Sequence, residues 1–229
     1  MNWLSQFLTS SIGRKLVMAL TGLFLILFLV IHLAGNLQLL YEDKGEAFNI
    51  YAKFMTTNPL ISTISWGLYA FILLHAIQGW MLAFRNRQAR GPVRYAVNTS
   101  KNVGFASNNM ALLGSLIFVF LVIHMGDFWY AMKFTEQLPY ITYEGQDEGV
   151  KDLYSKVMVT FKQPWFVIGY VLAMIVLALH LLHGFQSAFQ SLGLNHKKYT
   201  PVIKFLGAVY SIIIPAAFAA IPLIMYFYR

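Results

Sequence analysis

Residues 16–40 read LVMALTGLFLILFLVIHLAGNLQLL, an apolar run with no charged side chain. A helix needs about 20 apolar residues to cross the hydrocarbon core of a bilayer. Lipid offers no partner for a bare backbone amide, so such a run must be helical. Arg14 and Lys15 precede it and give it the look of a signal peptide. Its length and the lack of a small-x-small cleavage site oppose that interpretation.

Four later segments share this length and apolar character. We therefore predict an all-α fold, an integral membrane bundle of five transmembrane helices that forms a single domain over residues 1–229. The composition agrees, since 58% of the residues are hydrophobic and only 11% are charged, whereas a soluble domain carries more charge. The predicted spans are Leu16–Leu40, Leu60–Phe84, Met110–Met132, Trp165–Phe189 and Phe205–Tyr228.

Charged residues divide unevenly between the two sides that five helices define. One side carries all nine acidic residues. The other side carries only basic residues, namely Arg14, Lys15, Arg85, Arg87, Arg90, Arg94, Lys101, Lys197, Lys198 and Lys204. The positive-inside rule then places the N-terminus in the cytoplasm and the C-terminus outside. The net charge of +8 indicates topology and contact with membrane lipid rather than binding of nucleic acid.

Two stretches outside the spans are amphipathic, and we predict short helices on the outer surface there. They either lie flat on the membrane or pack over the helix ends as a lid, and the sequence leaves both open. Their apolar faces are Phe48, Tyr51, Ala52 and Met55 in the first, and Val150, Leu153, Tyr154, Val157, Met158 and Phe161 in the second.

Histidines inside predicted spans usually mark function, because a polar side chain in lipid costs free energy. His32, His75, His124 and His180 each lie roughly 24–26 Å from the end at which their helix enters the membrane. His32 and His124 are on outward-running helices and approach the outside, whereas His75 and His180 approach the inside. Two histidines at each of two levels predict two bis-histidine haems. His183 is a secondary candidate, one turn from His180.

Glycines follow three of these histidines on the same helical face, where they would leave room for a flat macrocycle. Glycine is also common in membrane helices for close packing. The chain has no cysteine, which excludes thiolate-held iron–sulfur clusters and thioether-linked haem. The three glycines are Gly35 after His32, Gly79 after His75 and Gly184 after His180.

Five short stretches occur in an order and at a spacing typical of one family. They are Thr21-Gly22-Leu23-Phe24 leading to His32, Gly45-Glu46-Ala47-Phe48-Asn49, His75-Ala76 leading to Gly79 and Phe84, Leu116-Ile117-Phe118-Val119 leading to His124, and His180 followed by Gly184 and Gly193. Over roughly residues 14–228, the chain resembles the single-chain, five-helix dihaem cytochrome b that anchors succinate dehydrogenases and fumarate reductases (complex II) in the membrane.

The resemblance implies that His32 and His124 bind the iron of an outer haem b, and that His75 and His180 bind the iron of an inner haem b. It implies a flavoprotein subunit and an iron–sulfur subunit on the cytoplasmic side, in the inner membrane of a bacterium. Electrons would pass from the iron–sulfur subunit through both haems to a quinone, which is menaquinone in relatives of this kind. Some fumarate reductases carry a glutamate on a proton path where this chain has Ala178, so that path is not implied.

Further site residues are predicted from side and charge alone. Glu46 and Asp127 are on the side where a quinone would need a proton donor. Arg14, Arg85 and Arg87 are basic residues that could hold haem propionates.

Three other functions stay open at this point. The chain could be the dihaem cytochrome b of another quinone-linked dehydrogenase, such as a hydrogenase or formate dehydrogenase. It could be a transporter whose histidines relay protons, although such proteins usually have broken helices and inverted repeats. It could also be a membrane anchor without haem.

Overall fold

A computed structural model describes residues 2–91, 104–145 and 148–229. The predicted cytoplasmic-side residues Arg94 and Lys101 lie outside this described part. A 3₁₀ turn, Leu37–Leu40, follows α2, and a π-helical turn, Met125–Tyr130, joins α6 to α7. The helices are α1 Trp3–Thr9, α2 Ser11–Asn36, α3 Glu46–Thr57, α4 Pro59–Arg90, α5 Phe105–Asn108, α6 Met110–His124, α7 Ala131–Phe134, α8 Leu153–Phe161, α9 Pro164–Ser191 and α10 Thr200–Tyr228.

Five helical segments are long and apolar enough to cross a membrane, which confirms the predicted all-α membrane bundle. Each extends beyond its apolar run, because polar residues continue the helix past the stretch that hydropathy detects. The last segment runs through Pro215 and Pro222 as one helix. The five segments are Ser11–Leu40, Pro59–Arg90, Met110–Phe134, Pro164–Ser191 and Thr200–Tyr228.

The chain packs as two compact units, and each contains one of the predicted histidine pairs. The His75 unit consists of Met1–Phe28, Leu68–Ile117 and Val176–Ile213. The His32 unit consists of Leu29–Gly67, Phe118–Ile175 and Ile214–Arg229.

The two amphipathic helices of the His32 unit turn their apolar faces into its core. Phe48 of α3 is buried with Leu153, Val157 and Phe161 of α8. They share this core with residues of the membrane helices, including Met225, which is 1% exposed. This packing favours the lid over the alternative in which the helices lie flat on lipid.

A short two-stranded ribbon and one buried amide complete the lid that α3 and α8 form. Strands β1, Tyr140–Ile141, and β2, Val150–Lys151, pair antiparallel, so Val150 belongs to a strand rather than to the predicted helix. Asn49 is fully buried, and its amide nitrogen donates to Tyr143 Oη at 2.8 Å and to Asp152 Oδ1 at 2.9 Å. Its amide oxygen accepts from the Tyr154 backbone at 2.9 Å. One side chain therefore ties α3 to the ribbon and to α8.

Candidate functional site

In the His75 unit, α4 and α9 bring His75 and His180 together. Their ring centres are 6.4 Å apart, with the ring planes inclined at 68°. The pairing predicted from depth along the helices is thus present as a contact between imidazoles. Two helices that each supply one inward-facing imidazole can share a single metal ion between them.

Thr21, on α2, holds the ring of His75. Its hydroxyl oxygen lies 3.1 Å from His75 Nδ1 and 2.8 Å from the Val17 carbonyl oxygen. The Met18 backbone also hydrogen bonds the His75 ring. These contacts tie the imidazole of His75 to α2.

His180 and His183 differ in what their ring nitrogens contact. His180 Nδ1 is buried with no hydrogen-bond partner in the described part of the chain. His183 Nε2 instead lies 3.0 Å from Ser187 Oγ, one turn along α9. The structure brings His180 against His75, and the choice of His180 over His183 as a haem ligand stays a prediction.

In the His32 unit, α2 and α6 bring His32 and His124 together. Their ring centres are 5.7 Å apart and the rings are nearly perpendicular, at 89°. His124 Nδ1 lies 3.1 Å from the hydroxyl of Tyr170 on α9. Asn36, one turn after His32, donates to the His32 carbonyl at 2.7 Å, and its amide nitrogen is 3.4 Å from the ring nitrogens.

Aromatic side chains enclose the His32–His124 pair. Phe120 stacks on His124 with ring centres 5.7 Å apart, and Phe218 of α10 lies 5.6 Å from His32. Phe128, in the π-helical turn, approaches His124 edge-on at 5.6 Å. Such an apolar surround excludes water and would suit a large, flat, apolar cofactor.

The glycines that touch the histidine rings are not those that the spacing indicated. An added methyl group at Gly22 of α2 would lie 3.2 Å from His75 Cε1, and one at Gly114 of α6 would lie 3.5 Å from His180 Cε1. Each glycine therefore accommodates an imidazole from a different helix. Sequence reasoning missed both as site residues, although Gly22 was part of the family motif.

The three predicted clearance glycines have different surroundings. A methyl group at Gly35 would lie 2.4 Å from the ring of Tyr51, so the missing side chain at Gly35 leaves room for α3, one of the two lid helices. One at Gly79 would lie 3.2 Å from the Met18 methyl carbon, and one at Gly184 would meet no atom within 4 Å among the described residues.

Of the three predicted propionate contacts, Arg14 has the most distinctive surroundings. Its Nε is buried with no hydrogen-bond partner in the described part of the chain. Arg14, Met18 and Thr21 share one face of α2, so Arg14 lies about 10 Å along the helix from the residue that holds His75. A buried guanidinium nitrogen without a partner suits an anion that the chain does not itself supply. Arg85 and Arg87 are exposed in the last turns of α4.

The two predicted proton donors lie in the His32 unit. Asp127 is in the π-helical turn on the wall of a cavity of about 270 Å³, which Tyr130 and Lys156 also line, and its Oδ2 is buried without a hydrogen-bond partner in the described part. Glu46 begins α3 near Tyr143. Burial raises the pKa of Tyr143, and the negative charges of Asp152, Glu46 and Asp43 raise it further. The hydrogen bond from Asn49 acts in the opposite direction and lowers it.

The residues present fit a haem iron bound by two imidazoles. A metal–imidazole nitrogen bond is about 2 Å long, so two rings on one iron have their centres about 6 Å apart. The observed separations of 5.7 and 6.4 Å lie on either side of that value. Within the described residues, no group of three or more His, Cys, Asp or Glu side chains could hold a metal ion, so the histidines occur as pairs rather than as a larger cluster.

Comparison with known proteins adds no identification. No protein-family model, no curated protein and no solved structure was found to match the chain.

Proposed function

We propose that this chain is the membrane-anchoring electron-transfer subunit of a succinate:quinone oxidoreductase and that it holds two b haems. The observation that carries the proposal is the presence of two separate histidine pairs, each formed by imidazoles from two different membrane helices. When bound, the two haems would supply one-electron transfer between a partner subunit and a quinone.

The roles of the chain's own residues follow from their contacts. His75 and His180 would bind one iron, and His32 and His124 the other. Arg14 would receive a propionate with its guanidinium, whose Nε is buried, and Phe120, Phe128 and Phe218 would keep water from the second site. The flavoprotein and iron–sulfur partners, the quinone, its identity as menaquinone, and the proton-donor roles of Glu46 and Asp127 rest on the resemblance and on the predicted topology.

Counting haems in histidine variants tests the proposal. We expect two protohaems per chain in the purified complex, measured by the pyridine haemochrome assay and a dithionite-reduced minus oxidised spectrum. His75→Ala and His180→Ala should each lose one haem, as should His32→Ala and His124→Ala, because removing one imidazole leaves the iron with a single protein ligand.

Two histidines outside the pairs provide matched controls. His183→Ala and His196→Ala should retain both haems, since His183 bonds Ser187 and His196 lies exposed between α9 and α10. A folded wild-type preparation without haem would sink the proposal in favour of a transporter or a bare anchor. Two haems together with a nickel or molybdenum enzyme, in place of a flavoprotein, would assign the chain to another quinone-linked dehydrogenase.

A further inference from the structure

Each histidine pair contains one ring whose Nδ1 is held by a buried hydroxyl from a third helix. Thr21 of α2 is 4% exposed and lies 3.1 Å from His75 Nδ1. Tyr170 of α9 is 9% exposed and lies 3.1 Å from His124 Nδ1. In the His75 pair the other ring differs, because His180 Nδ1 has no hydrogen-bond partner among the described residues.

The hydrogen bonds of Thr21 determine which nitrogen of His75 carries the proton. A hydroxyl has one proton to donate, and at 2.8 Å the Val17 carbonyl is its nearest acceptor. Thr21 must then accept from His75 Nδ1–H. The neutral imidazole consequently carries its lone pair on Nε2, which is the form that binds a metal ion.

Tyr170 is held in place by the aromatic core of the His32 unit. Its ring lies edge-on to Phe120 with centres 4.9 Å apart and edge-on to Phe161 of α8 at 5.0 Å. The phenol is therefore a rigid partner for His124. If His124 binds iron through Nε2, its Nδ1 bears the proton, and the Tyr170 oxygen accepts it.

We propose that Thr21 and Tyr170 are positioning residues that fix the tautomers of His75 and His124 and set the reduction potential of the haem at each site. The inference rests on the proposed function. A metal-bound histidine that donates its other N–H to an acceptor is a stronger electron donor to the metal. Each hydroxyl thus favours the oxidised iron, and its removal raises the potential of its own haem alone.

Potentiometric titration of isosteric variants tests this proposal in the purified complex. Thr21→Val and Tyr170→Phe delete one hydroxyl each and keep the shape of the side chain. Loss of one hydrogen bond should raise the reduction equilibrium constant of one haem by about two- to tenfold, where tenfold equals about 59 mV for one electron. Each variant should shift a different haem, and the double variant should shift both.

Matched controls separate a hydroxyl acting on a ligand from a merely buried hydroxyl. Thr160→Val and Tyr210→Phe remove buried or half-buried hydroxyls that bond backbone carbonyls, Lys156 and Ile26 respectively. Both should leave the two potentials unchanged. Thr21→Ser retains the hydroxyl and should restore the wild-type potential, with its low-spin ferric EPR signal.

The possible results distinguish failure of this inference from failure of the proposed function. Two haems retained with unshifted potentials in Thr21→Val and Tyr170→Phe would overturn the positioning role and leave the haem proposal standing. Absence of haem from the wild type would overturn the proposed function itself. If Thr21→Val loses its haem, the test passes to Thr21→Ser, which keeps the hydroxyl. A shifted haem potential in Thr21→Ser would contradict the inference.

Discussion

Gly22 provides a test at the scale of one methyl group. We expect Gly22→Ala to displace the His75 ring by a few tenths of an ångström, because the new carbon would lie 3.2 Å from Cε1. Overpacking of this kind costs about 1–3 kcal/mol. Haem content and thermal stability in detergent would show this as partial loss of one haem and a lower Tm.

Gly169→Ala is the control for that substitution. An added methyl group at Gly169 would meet no atom within 4 Å among the described residues. Gly169 lies on α9, which like α2 is long and apolar enough to cross a membrane. Indistinguishable haem content and Tm in the two variants would contradict a close contact between Gly22 and His75.

Spacing along a single helix predicts part of this site and misses the rest. The rise per residue fixes the depth of each histidine, and depth alone pairs His75 with His180 and His32 with His124, as the structure does. Gly22 and Gly114 meet these rings from other helices, as do the Thr21 and Tyr170 hydroxyls. Such contacts depend on how each helix is rotated and on which helices are neighbours, and the residue spacing within one helix contains neither kind of information.

Among the elements, long helices and short strands were not equally predictable. Twenty apolar residues leave only a helix possible in lipid, so all five spans were found. The two-residue strands β1 and β2 are too short to show an alternating pattern, and Val150 was therefore assigned to a helix. The sequence does not decide between a lid and helices that lie flat on lipid, because an amphipathic face does not show whether lipid or protein covers it.

Asp152 links the stability of this lid to pH. It caps α8 by accepting from the Ser155 backbone at 3.0 Å, and it also accepts from Asn49. Burial opposes its ionisation, but these hydrogen bonds outweigh burial and lower the pKa of Asp152 below its ordinary 3.8. Its stabilising contribution is therefore complete above that pH and is lost as the pH falls through the lower, folded-state value.

Removing that carboxylate should loosen α3 and α8 at neutral pH. We expect Asp152→Ala to cost about 1 kcal/mol, as the loss of an N-cap usually does. Hydrogen exchange in these two helices should then be faster than in wild type, and the difference should narrow below pH 3.8. Glu144→Ala, an exposed acid near the ribbon, should leave the exchange unchanged. A difference that persists unaltered into strong acid would rule out the carboxylate as its cause.

For the whole molecule, charge carries information that packing does not. Contacts within the two units say nothing of which membrane face each helix end meets, whereas the unequal distribution of basic residues predicts it. The complete absence of cysteine makes this prediction easy to test with single introduced thiols.

We expect Glu144→Cys to react with an impermeant maleimide added outside spheroplasts. Lys197→Cys, in the basic connection between α9 and α10, should react only after the membrane is permeabilised. Both positions are exposed, so access to the reagent depends on sidedness alone. Labelling in the opposite order would invert the predicted topology.

The histidine pairs also impose an order on biosynthesis. His124 leaves the ribosome 92 residues after His32, and His180 follows His75 by 105 residues. At about 5–20 residues per second, each first imidazole waits roughly 5–20 s for its partner to be translated. In each pair, another long membrane helix lies between the two helices that carry the histidines. Neither pair can therefore form between consecutive membrane helices as they enter the bilayer. A nascent chain that has passed α6 but not α9 could complete the His32 pair alone, whereas the His75 pair must await the emergence of α9.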